Sequence, residues 1–92
     1  MYIYIANYNF EKYLEFEWNI DFLFNIAYEK PSIFCNLSNV DPYWKTIFNK
    51  LQVENSILNE IKNIEWNKKD IMKFIIFLNK IEQHDFLIIV WD

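Results

Sequence analysis

The 92-residue sequence has no glycine, no arginine, one cysteine, one histidine and two prolines. Each shortage removes a class of chemistry. Without glycine there is no phosphate-cradling loop, because the Walker A and dinucleotide fingerprints need glycine where backbone approaches ligand. Every turn must also form without the residue that takes positive φ most easily. The lone histidine, His84, excludes a His-rich metal site, and the lone cysteine, Cys35, cannot close an internal disulfide. Cysteine usage of this kind fits a reducing compartment, so a cytoplasmic location is expected. No apolar run approaches the ~18–20 residues of a membrane span. The start, Met1-Tyr2-Ile3-Tyr4-Ile5, lacks the basic region and cleavage site of a secretory signal.

Positive charge is scarce as well. The net charge is −4, whereas a nucleic-acid surface needs a basic face. The one basic cluster, Lys68, Lys69 and Lys73, is offset by Glu65 and Asp70. No nucleic-acid or membrane partner is therefore expected. What the chain has in quantity is apolar: 53% hydrophobic residues and 21% aromatic suffice for a core without metal or disulfides. Twelve asparagines, fifteen isoleucines and nine lysines indicate AT-rich coding, as in many bacteria and phages.

Patterning predicts one domain over residues 1–92. Residues 1–6 alternate Tyr and Ile and read as a strand, followed by a turn at Asn7-Tyr8-Asn9. From Leu14 to Phe22 apolar and polar residues alternate strictly, which predicts a half-buried strand. The rival is a helix over roughly residues 10–29. Pro31 ends this region, and Ile33–Leu37 is a short strand candidate. Asp41-Pro42 has the form of a helix start, with Trp44, Ile47, Phe48 and Leu51 as its stripe. A second short helix, capped by Asn55 or Ser56, would bury Ile57, Leu58, Ile61 and Ile64, with Trp66-Asn67 as the link onward. The last stretch, 68–92, organises the rest. Ile71, Phe74, Ile75, Leu78 and Ile81 form a helical stripe, with Asn67 at the N-cap. The unbroken run Phe86–Trp91 then predicts a strand inside a sheet, covered on both faces. The expected fold is α+β: N-terminal antiparallel strands, two short helices, and a C-terminal helix packed on a buried final strand.

Candidate catalytic groups are few. His84 lies in the polar turn Glu82-Gln83-His84-Asp85, and Cys35 reads as a small buried hydrophobe. No catalytic residue, metal site or cofactor is expected, and the chain does not read as an enzyme. The charge distribution is the better lead. Residues 1–44 hold six acids against two lysines, a net of −4, while residues 45–92 balance at seven each. On the predicted strand, Glu15, Glu17 and Asp21 share one exposed face flanked by Glu11, and such like charges repel. A basic partner would relieve that repulsion. Nineteen aromatic residues exceed what a core of this size takes up, so tyrosines and tryptophans must reach the surface. Exposed aromatics beside acids are the makings of a protein interface. Glu11, Tyr13, Glu15, Glu17, Trp18 and Asp21 are the expected partner-binding residues.

In size, acidity and composition over its whole length, the chain resembles the immunity proteins of bacterial toxin–immunity pairs. Its final helix–strand unit is similar to that of barnase-inhibitor-type α/β folds. The resemblance implies stoichiometric inhibition of a basic, nuclease-type toxin through a surface that mimics the charge of nucleic acid. A phage-encoded inhibitor of a host defence nuclease, of the anti-CRISPR kind, would use the same mimicry. A small structural or oligomer-forming subunit would instead use the aromatic surface as a self-interface.

Overall fold

Five apolar residues in a row make strand β4 (Phe86–Val90), and it lies inside the sheet as its composition predicts. The computed structural model describes every residue except Trp66 and Asp92, so the predicted link at Trp66 lies outside the described residues. The sheet has four antiparallel strands in the order β2-β1-β4-β3, with β1 (Tyr2–Ala6), β2 (Lys12–Glu15) and β3 (Lys45–Asn49). Alternation sorts the side chains. Ile3 and Ile5 of β1, Phe48 of β3, and Leu87 and Ile89 of β4 belong to the core. Helices α1 (Asp21–Glu29) and α4 (Lys68–Leu78), with a helical run over 50–61, contribute the rest of that core. All helices therefore cover one face of the sheet, which gives a two-layer α+β fold.

The predicted C-terminal unit is present. Ile71, Phe74, Leu78 and Ile81 are buried as expected, and Phe77 joins them while Ile75 is half-buried. Asn67 is the N-cap of α4, but in the left-handed conformation (φ 53°) and without a side-chain capping bond.

Three expectations are corrected. The strict alternation over Leu14–Phe22 spans two elements rather than one strand. β2 stops at Glu15, the chain turns through residues 16–20, and α1 starts at Asp21. The Asn19 side chain accepts the Asp21 N–H at 2.8 Å, which sets up that start. Ile20, Leu23, Phe24 and Ala27 then form the buried stripe. This i, i+3, i+4, i+7 spacing outweighs the alternation once the helix begins late enough. Residues 10–29 are thus neither all strand nor all helix.

Asp41-Pro42 does not start a helix. Asp41 Oδ1 accepts the Tyr43 N–H at 2.8 Å, an Asx turn, and β3 follows it. The helix starts instead behind Asn49, whose side chain accepts the Gln52 N–H while its own N–H donates to Gln52 Oε1, both at 2.8 Å. This capping box opens one continuous helical run: α2 (Lys50–Gln52), a π turn (Val53–Ile57) and α3 (Leu58–Ile61). Asn55 and Ser56 lie inside it rather than capping a separate helix.

Residues 33–37 are not a strand. Phe34 and Leu37 are buried, a 3-10 turn follows at Leu37–Asn39, and Cys35 is exposed rather than buried. The buried carboxylate of Glu60 replaces the missing strand partner. Its Oε1 accepts from the Asn36 and Leu37 N–H groups, each at 3.0 Å, and its Oε2 accepts from Asn36 Nδ2 at 2.7 Å.

Candidate functional site

Four of the six expected binding residues come together, although not on a strand face. Glu15 ends β2, Glu17 and Trp18 lie in the turn that follows, and Asp21 opens α1. The turn folds these side chains around one cleft of about 420 Å³. Ile3, Phe16 and Ile20, all buried, line it together with the three carboxylates. Glu15 is held by Lys12 Nζ at 3.4 Å, an exposed pair that contributes little. Among the described residues no lysine lies within ion-pair distance of Glu17 or Asp21.

Trp18 separates this cleft from a second one of about 380 Å³, lined by Glu15, Glu17, Lys73, Ile76 and Lys80 among others. The indole is 50% exposed. It leans on Phe16, with ring centroids 5.6 Å apart, and Lys73 Nζ stands 4.8 Å from its ring centre. A large, half-exposed ring held against a core aromatic and a cation is preorganised for contact. Met72 and Ile76, off the buried stripe of α4, are both exposed, and Ile76 lines the second cleft.

Glu11 and Tyr13 stand apart from the cleft. Glu11 closes the β1–β2 turn: its N–H donates to Asn7 Oδ1 at 3.1 Å, and its carbonyl accepts the Asn7 N–H at 3.0 Å. The Tyr13 hydroxyl donates to the buried carboxylate of Asp85, which also accepts the Glu82 N–H at 2.9 Å. Half of the Tyr13 surface is in solvent, yet its hydroxyl is tucked against Asp85. Burial, followed by the hydrogen bond and charge of Asp85, pushes the phenol well above its ordinary 10.0. A raised folded-state pKa means the stabilisation is complete below pH ~10 and is lost as pH climbs past it. We therefore expect Tyr13→Phe to melt below the wild type at neutral pH, with the gap closing above pH ~10. A gap that stays constant through that range in paired thermal melts would remove Tyr13 from this role.

His84 is exposed in the turn before β4 at φ 72°. Among the described residues neither Asp85 nor Cys35 is hydrogen-bonded to it. Nor do three His, Cys, Asp or Glu side chains converge there as metal ligands would. No helix of the described residues is long and apolar enough to cross a membrane.

Sequence reasoning missed the second face of the sheet. The unbroken run of β4 predicts cover on both sides, and Ile88 on the face away from the core is indeed buried, but among the described residues no helix lies over that face. In register across it run Tyr2–Val90–Lys45, Tyr4–Ile88–Ile47 and Ala6–Phe86–Asn49. Ile88 is buried between its neighbours, while Tyr2 and Ile47 are exposed. Phe10 stacks on Phe86 with ring centroids 4.8 Å apart. Lys12 Nζ donates to the Tyr2 hydroxyl at 2.9 Å and stands 5.0 Å from that ring's centre. The Tyr/Ile alternation of residues 2–5 was the available signal for this face.

No family model, curated protein or solved structure matches this chain.

Proposed function

We propose that the protein is a stoichiometric protein-binding inhibitor, an immunity protein that neutralises a basic, nuclease-type bacterial toxin. The observation that carries this reading is the convergence of Glu15, Glu17 and Asp21 on one cleft beside the half-exposed Trp18. A lysine or arginine of the partner would lay its aliphatic stem along the exposed Trp18 ring and its cation among the carboxylates. Trp18 supplies the rigid apolar anchor that dominates interface energetics. The charge ledger agrees: the acidic excess of the chain lies in residues 1–44, from which the cleft is built.

Steering by such a rim acts on the association rate and weakens as salt rises through the Debye range, ~10 Å at 0.1 M. The partner is first identified by co-purification from the native host, and association is then timed at two salt concentrations. Reversing Glu15 and Glu17 to lysine is expected to slow association about tenfold or more and to flatten its salt dependence. Folding should not suffer, because both side chains are exposed. Association unchanged by the double reversal would mean that these acids only solvate the surface.

A further inference from the structure

One edge of the sheet is protected and the other is not. β2, at one end of the order, carries Lys12 and Glu15 and faces an irregularity between Ile5 and Ala6. Charges and bulges of this kind deter strand addition. β3, at the other end, has one charged residue, Lys45, and pairs with β4 without a break from 45 to 49. The Asn49 N–H donates to Gln52 Oε1, so Asn49 does not donate into β4. By antiparallel alternation Lys45 and Ile47 also point their N–H and C=O groups away from β4. Among the described residues no backbone group outside the sheet bonds to them. Large apolar side chains are exposed along and beyond both ends of this edge: Tyr43 is 91% exposed and Trp44 68% before the strand, Ile47 40% on it and Leu51 65% after it. Exposed apolar side chains beside free backbone groups mark an interaction site.

We propose that β3 pairs antiparallel with β3 of a second copy of this chain, across a two-fold axis normal to the sheet. A two-fold makes such a pair antiparallel and self-complementary by construction. It sets both helix layers on one side and both open faces on the other, giving one eight-stranded sheet. Residues opposite each other in an antiparallel pair share a face, so Lys45 can stand opposite Ile47 of the other copy. In that register Lys45 and Ile47 exchange both backbone bonds, twice over by symmetry, and Asn49 keeps its bond to Gln52. The only charge on the strand meets an isoleucine, so no like charges oppose. Tyr43 and Trp44 of each copy are brought against the far end of the other strand, where Leu51 is exposed. The acidic cleft belongs to the β2 edge and stays open, so dimerisation and toxin binding are separable.

Sedimentation velocity of the full chain over a concentration series tests this. The wild type is expected at twice the single-chain mass of 11.4 kDa. Ile47→Lys sets a lysine opposite Lys45 of the other copy and should give a folded monomer, with a cooperative melt that no longer shifts with protein concentration. Ile47→Glu sets opposite charges there and should keep the dimer. Leu51→Lys lies outside the sheet and should weaken self-association about tenfold, which keeps the test decisive if Ile47→Lys fails to fold. A wild type that stays at single-chain mass throughout, even if it captures some other protein, overturns the proposal. So does a dimer that neither lysine variant weakens, and loss of the dimer in Ile47→Glu overturns the register.

Discussion

Replacing Ile89 with aspartate is expected to unfold the protein. Ile89 is fully buried on the core face of β4, with Ile3 and Thr46 directly opposite on the two flanking strands. A carboxylate there would sit among apolar core side chains, out of reach of water. Its burial costs several kcal/mol, whether as an unpaired charge or as a group forced to take up a proton. The whole domain is stabilised by only ~5–15 kcal/mol. Ile89→Val provides the contrast: it deletes one methylene and should cost about 1 kcal/mol. Circular-dichroism melts should show a shallow shift for valine and no cooperative transition for aspartate. An aspartate variant that melts like the wild type would mean that β4 is not in the core.

The same strand shows what the sequence could and could not tell. Six apolar residues in a row placed β4 between two neighbours, because an edge strand rarely bears so many. The run carried no information about what covers each face. A strand screened by a helix on one side and by Tyr4, Ile47 and their neighbours on the other has the same composition as one between two helix layers. The Tyr/Ile alternation of β1 held the missing hint, since tyrosines on one face let that face stay wet. The β3 error had a different origin. Asp41-Pro42 is equally good as a helix start and as a turn, and only Asn49-Lys50-Leu51-Gln52, read as a capping box, would have moved the helix start beyond the strand.

The nearness of Glu15, Glu17 and Asp21 was legible in the sequence, and the geometry that brings them together was not. Glu15, Glu17 and Asp21 were placed together by period-two spacing, yet they meet because the chain turns between β2 and α1. Separation along the sequence was short enough that either arrangement brings them close. Long-range pairings left no trace at all: Tyr13 with Asp85, or the Asn36 backbone with Glu60, are 72 and 24 residues apart. Local patterns cannot report a partner supplied by tertiary contact.

Glu60 carries the second large effect. Glutamate at a buried position of a helix is rare unless its charge is met by donors, and here three donors meet it: two backbone N–H groups and the Asn36 amide. Together they tie the segment between α1 and β3 to α3, beside its own backbone turns and the bond from the Tyr28 hydroxyl to the Val40 carbonyl. Glu60→Ala would leave the buried Leu37 N–H and the half-buried Asn36 N–H without their acceptor. Each orphaned donor costs about 1–3 kcal/mol, so the variant should lose roughly 2–5 kcal/mol. Glu60→Gln keeps one carbonyl oxygen for the two backbone donors, and a flip of the Asn36 amide lets it accept from the new NH₂ group. Its cost is the difference between charged and neutral hydrogen bonds, about 1 kcal/mol. Urea denaturation of the two variants therefore separates acceptor loss from charge loss. Alanine and glutamine variants of equal stability would show that the carboxylate does not hold this segment, and that burial of Phe34 and Leu37 keeps it in place.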